Sequence, residues 1–156
     1  MKIINYPILH CINQKEFRSV FDAEFVDKEL KFEGYNLKII KDDFNHIFFE
    51  RGAKGKEKAK FGIRRARRMM FVKAICEKDI PYILLWETNR PEKEVCVLCE
   101  EAEVAVYLKA RKTKKENFLI LKTLIVFGSQ VISRIDKQKK QSRRIKNLKL
   151  VFEEAD

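Results

Sequence analysis

"YILLWETNRPEKEVCVLCEEAEVAVYLKARKTKKENFLILKTLIVFG", Tyr82–Gly128, is the stretch that decides the fold class. It contains four runs rich in Val, Ile, Leu and aromatic residues: "YILLWET", "EVCVLCE", "AEVAVYLKA" and "NFLILKTLIVFG". Such runs, bounded by polar segments, read as β-strands. The links "NRPEK", "EA" and "RKTKKE" are short. A parallel crossover needs a dozen residues or more, so these links predict antiparallel hairpins. Side chains alternate along a strand. Cys96 and Cys99 are therefore expected on opposite faces, acting as small hydrophobes and not as half of a zinc site. By the same alternation Lys122 and Thr123 should point to opposite faces of the last strand.

The part before these strands reads differently. "QKEFRSVFDAEF" places Phe17, Val20, Phe21 and Phe25 near one face of a helix. "YNLKIIK" is a short strand candidate. Asp42 or Asp43 can cap a helical turn in "FNHIFFE", since a short carboxylate accepts the free amides at a helix start. In that turn Phe44, Ile47 and Phe48 share a face, and His46 sits off it. From about Lys58 to Lys78 the pattern predicts one helix, with Ala59, Ile63, Ala66, Met70 and Ala74 as its apolar stripe. "DIP" ends it, because Pro81 disfavours helical geometry at the residue before it. "SQVISRIDKQKKQSRRIKNLKLVF" reads as a basic C-terminal helix or tail. The sum is an α+β expectation: N-terminal helices packed on a curved four-stranded antiparallel sheet, followed by a basic C-terminal helix or tail. A chain of 156 residues with 46% hydrophobic residues and twelve Phe can form one domain with a real core. The expected division is a core over about 36–135 and a basic extension over 136–156.

The formal net charge is +11. Such a balance favours polyanionic partners, nucleic acid first. The charge is clustered. Between residues 51 and 73 stand Arg51, Lys54, Lys56, Lys58, Lys60, Arg64, Arg65, Arg67, Arg68 and Lys73, with Glu57 as the single acid. The hairpin "KARKTKK" adds Lys109, Arg111, Lys112, Lys114 and Lys115, and the C-terminal segment is basic again. Three such clusters can flank one cleft and contact phosphates. The acidic hairpin Glu100, Glu101 and Glu103 would serve solubility or keep nucleic acid off its own edge. The N-terminus lacks a signal-peptide cleavage pattern, and no apolar run reaches the roughly 20 residues a membrane span needs. The four cysteines then read as reduced thiols in a cytoplasmic protein.

Binding phosphate and cutting it are separate questions. The carboxylates Asp42, Asp43, Glu50, Glu87 and Glu94 show no metal-ligand spacing, so no metal or other cofactor is expected. RNA offers a metal-free route, attack of its own 2′-hydroxyl on the adjacent phosphate. That reaction needs groups to take and give protons, and donors around the developing charge. Histidine serves either proton role near neutral pH. Arginine presents a donor fork that matches phosphate.

A histidine-bearing turn (His46), an Arg-Ala pair (Arg65 and Ala66), an aromatic a few residues on (Phe71), "IP", and strands ending in "FLILKTLIVFGS" follow one another over about 39–129. This order resembles the phage-associated Barnase–EndoU–colicin–RelE-like nucleases (the BECR fold). The resemblance implies a metal-independent ribonuclease with a helical N-terminal part on a curved antiparallel sheet, acting on tRNA or mRNA in toxin or phage-conflict settings. It implies roles for His46 in proton transfer, for Arg65 and Arg51 in phosphate stabilisation, and for Thr123 as a hydrogen-bond donor. Where related patterns carry a second histidine, this chain has Glu50 and Arg51. Nucleic-acid contacts are expected from Lys56, Lys58, Lys60, Arg64, Arg67, Arg68, Arg111, Lys112, Lys122 and Ser129. An antitoxin or inhibitor protein is the other expected partner. The alternative is a basic nucleic-acid-binding protein without catalysis. His10 lies in an apolar stretch and reads as structural. Trp86 and Tyr107 could stack on bases, although aromatics in strands are usually core.

Overall fold

The computed structural model describes residues 6–50, 60–86, 93–128 and 132–153. The chain begins with α1 (Gln14–Glu24), whose N-cap Asn13 accepts the Glu16 amide. A hairpin follows, β1 (Leu30–Phe32) and β2 (Tyr35–Lys38). Its turn residues Glu33 and Gly34 both have positive φ, 52° and 87°. That is the tight turn whose twist matches paired strands. Then come α2 (Asp43–Phe48) and a two-residue ladder of β3 (Phe49–Glu50) with β4 (Lys60–Phe61). After it stand α3 (Ile63–Ala66) and α4 (Phe71–Cys76). Four consecutive strands follow, β5 (Ile83–Trp86), β6 (Glu94–Cys99), β7 (Val104–Lys112) and β8 (Asn117–Val126). The chain closes with α5 (Ile132–Gln141), β9 (Arg143–Ile145) and α6 (Lys149–Glu153).

The expected four-stranded antiparallel sheet is overturned. Among the described residues the main sheet has seven strands in the order β1-β2-β8-β7-β6-β5-β9. β5 to β8 do form consecutive antiparallel pairs. β2 joins β8 in parallel, Asn36 beside Phe118 and Lys38 beside Ile120, so the sheet is mixed. β9 adds to the far edge against β5. The physical reason is edge satisfaction. β5 and β8 would otherwise each present a row of unpaired backbone groups. Short segments outside the obvious strands supply the pairing. The basic C-terminal segment is thus two helices with a strand between them, not a single helix or tail.

The single helix expected over 58–78 is also corrected. Lys60 and Phe61 lie in the β4 ladder, and the Gly62 amide bonds the Phe48 carbonyl at 2.5 Å. Beyond Ala66 the backbone tightens: Arg68 bonds Arg65, Met69 bonds Ala66, and Val72 bonds Met69. The Arg67 carbonyl is taken by the Leu9 amide at 2.8 Å, which removes it from the helical ladder. Three-residue bonding eclipses side chains at every third position. Ala66, Met69, Val72 and Ile75 are accordingly buried, whereas the expected stripe member Ile63 is 38% exposed. The expected cap of α2 differs too. Asp42 makes no cap bond, and Asp43 Oδ2 instead accepts the Ile40 amide at 2.8 Å.

One core cluster joins the helices to one face of the sheet. It holds Phe17, Phe21, Phe44, Ile47, Phe48, Met69 and Val72 with Val95, Val97, Val106, Leu108, Leu121 and Leu124. Phe21 packs against the rings of Phe25, Phe44 and Phe48. The opposite face holds a smaller cluster, Leu85, Cys96, Leu98, Ala105 and Phe127. Cys96 and Cys99 fall in different clusters, as strand alternation requires. Burial pushes the Cys99 thiol up to about 12. Burial disfavours the thiolate, so the group stays protonated at pH 8. We expect Cys99 to resist a disulfide-exchange thiol reagent at pH 8 until denaturant is added. Modification in the folded protein at the denatured rate would contradict this burial.

Candidate nucleic-acid and catalytic site

The site forms where β2 stops. β2 pairs with β8 over Phe118–Ile120 only. α2 and α3 both pack against β8. α2 is held there by Phe44, Ile47 and Phe48, each buried in the core. α3 follows directly after the β4 ladder, with Ala66 inward.

Arg65 is half-buried on α3. Its Nη1 donates to the Ile47 carbonyl of α2 at 3.2 Å and to Thr123 Oγ1 of β8 at 3.4 Å. One guanidinium thus links three elements. A threonine hydroxyl that accepts from a guanidinium still has its own hydrogen to donate. Thr123 can therefore pass the arginine's polarisation on to a bound oxygen. His46 precedes Ile47 in the chain and is exposed at the last turn of α2. Among the described residues its imidazole makes no hydrogen bond. Burial raises the nearby Asp43 carboxyl, and the charge of His46 acts in the opposite direction.

A bulge in β8 corrects the expected opposition of Lys122 and Thr123. Thr123 pairs with Tyr107 and Leu121 pairs with Leu108, so Lys122 is the extra residue. Two residues then oppose one, and the alternation is interrupted. Leu121 and Leu124 are both core, three positions apart instead of two. Lys122 and Thr123 sit together in the interruption. Lys122 Nζ bonds Glu94 Oε1 at 2.5 Å, with the Lys122 side chain 32% exposed and that of Glu94 6%. Glu94 was expected to be one of several scattered carboxylates, yet among the described residues it is the charged one buried in the sheet. Nothing in its local sequence signals this, because the partner lies two strands away. Glu94→Gln removes the anion beside Lys122. We expect a loss of about 1–3 kcal/mol in urea unfolding, below the figure for a fully buried pair because Lys122 reaches water. Unchanged stability would mean the pair contributes nothing.

The remaining candidates divide by place. Arg64 and Arg67 are exposed on α3 and its C-cap, and Arg68 is half-buried beside them. Lys60 is exposed on β4. Arg111 and Lys112 pair with Phe118 and Asn117 at the other end of β8. At about 3.3 Å per residue they stand roughly 20 Å from Thr123, so they do not join the Arg65 site. Arg51, Lys56, Lys58 and Ser129 lie outside the described residues. Of the two aromatics, Trp86 is core at 4% exposure, while Tyr107 is half-buried directly opposite Thr123. His10 is exposed. Among the described residues no three His, Cys, Asp or Glu side chains converge as a cation site. No helix among them is long and apolar enough to cross a membrane.

No protein-family model matches the chain, and neither a curated protein nor a solved structure matches it.

Proposed function

We propose that this protein is a metal-independent ribonuclease of the RelE and barnase-like kind, cleaving RNA by attack of a 2′-hydroxyl on the adjacent phosphate. One observation carries the reading: the half-buried Arg65 reaches Thr123 on β8 and the Ile47 carbonyl next to His46. A donor fork and a hydroxyl supply the charge stabilisation this reaction needs, and an imidazole supplies one of its two proton roles. Oxygen 2′ bonds phosphorus as the bond to the 5′ oxygen breaks. The hydroxyl proton passes to a base, an acid protonates the leaving oxygen, and the products are a 2′,3′-cyclic phosphate and a 5′-hydroxyl. His46 takes a proton role. Arg65 and Thr123 stabilise the charge on the nonbridging oxygens. tRNA or mRNA in the cytoplasm is the substrate class, with a dedicated inhibitor protein as partner.

The test is incubation of the purified chain with total RNA and with tRNA, with EDTA and with divalent metal. Cleavage in EDTA with cyclic phosphate ends supports the reading, and intact RNA under every condition sinks it. The exposure of His46 favours one other reading, a nucleic-acid-binding protein without catalysis. That reading gives salt-sensitive binding and no product.

A further inference from the structure

We propose that Arg64, Arg67 and Arg68 form a second phosphate-binding position, next to Arg65 and Thr123, so that the site holds a run of consecutive phosphates of one RNA strand ending at the acidic turn of Glu100, Glu101 and Glu103. The inference deepens the ribonuclease reading, because it takes Arg65 and Thr123 to hold a phosphate.

Position comes first. Residues three and four apart on a helical segment are neighbours at about 5–6 Å. Arg64 and Arg68 are such a pair, and Arg68 Nη1 donates to the Arg64 carbonyl at 2.9 Å. The Arg67 carbonyl is fixed by the Leu9 amide, which holds this turn in place. The guanidiniums are thus crowded onto one short, tied segment. Burial, and then the charges of Arg64 and Arg67, push the Arg68 guanidinium below its ordinary range, and the carboxylate of Glu103 acts in the opposite sense. Like charges held together this way are repulsive until an anion sits among them. Phosphate, like carboxylate, matches the guanidinium fork, and on the ribonuclease reading the anion offered is a phosphodiester.

Order along the strand comes second. Arg65 meets β8 at Thr123. Glu103 stands at the end of β8, where the Phe127 amide bonds its carbonyl at 2.9 Å. Thr123 and Phe127 are about 13 Å apart at strand spacing. Of these arginines Arg68 is the one that feels the Glu103 carboxylate, so in this proposal the track leads from Thr123 past Arg68 and closes at the negative turn. The Glu103 backbone is in the left-handed region, φ 58°, an uncommon geometry for this residue type. Glu100 on the same turn is tied to Lys139 at 2.5 Å.

The test uses a short single-stranded oligonucleotide with 2′-deoxy sugars, which binds through phosphates and has no 2′-hydroxyl to attack. Binding is read by fluorescence anisotropy at several salt concentrations. Arg68→Gln and the exposed Arg64→Gln are each expected to weaken binding about three- to tenfold and to lower the salt slope by about 0.7. Glu103→Gln is expected to tighten binding about two- to threefold by the same electrostatics. Lys28→Gln removes one exposed charge from the loop before β1 and is expected to change little. Equal weakening by Lys28→Gln and Arg68→Gln would overturn the proposal, because the net charge alone would then explain binding. So would unchanged binding in both arginine variants, or in Glu103→Gln. The same variants are assayed on the ribo-oligonucleotide. The binding pattern without cleavage refutes the ribonuclease reading and leaves the phosphate track standing; cleavage without the pattern does the reverse.

Discussion

Arg65→Ala is expected to lower RNA cleavage about 10²–10³-fold, the cost of removing one preorganised donor from a developing oxyanion. The loss should fall on kcat, since the surrounding basic side chains still hold the strand. Arg65 also ties α2 to α3 through the Ile47 carbonyl at 3.2 Å. Its removal breaks that bond and the one to Thr123, and should therefore cost about 1–3 kcal/mol of stability. That cost is too small to mimic the kinetic loss by unfolding. Arg65→Lys keeps the charge and loses the fork, so it should recover only part of the rate. Thr123→Val removes the hydroxyl at nearly constant volume and should give a smaller defect. His46→Ala, on an exposed side chain, should leave stability unchanged and reduce cleavage about 10²–10⁴-fold if the imidazole transfers a proton. Wild-type cutting by Arg65→Ala would refute the assignment, whatever the other variants do.

Phe21→Ala is expected to destabilise the fold by about 3–5 kcal/mol. Phe21 is 1% exposed, and its ring meets Phe25, Phe44 and Phe48 at centroid distances of 5.6, 5.4 and 5.9 Å. It joins α1 to α2, and α2 carries both His46 and the carbonyl that holds Arg65. Truncation leaves a cavity that three rings cannot close without tilting α2. A domain of this size is stable by only about 5–15 kcal/mol, so a fall in Tm of roughly 6–20 °C should follow. The measurement is thermal unfolding by circular dichroism, paired with Phe21→Leu as the milder change. A shift under 2 °C for the Ala variant would show that the aromatic cluster does not fix α2.

The hairpin strands β5 to β8 were legible because each is apolar and bounded by polar links. The face of α1 and the inward trio Phe44, Ile47 and Phe48 were legible for the same reason, a clear period. What escaped was pairing between distant short segments. β1 has three residues and β9 has three, too few for a periodic signal. The Glu33-Gly34 pair was the one local cue to the first hairpin, since positive φ at adjacent turn positions favours such dipeptides. The β8 bulge was hidden because "LILKTLIV" reads equally well as an unbroken alternation. Only the register against β7 reveals that Lys122 is supernumerary. The Arg65–Thr123 approach was expected through a resemblance, whereas the burial of Glu94 had no sequence cue. The break after Ala66 was invisible because the Leu9 amide that causes it comes from outside the segment.

The parallel pairing of β2 with β8 has a consequence for how the chain is made. Asn36 and Glu116 touch across 80 residues of sequence, and Arg65 and Thr123 across 58. Contacts of such separation form late, because the loop between them must close first. During synthesis the N-terminal half leaves the ribosome before the strand that completes it. A ribosome-bound chain that stops before Asn117 should therefore leave the β1–β2 hairpin unprotected in hydrogen exchange, and a hairpin already protected there would refute this order. The Arg65–Thr123 contact is therefore assembled only once β8 has emerged.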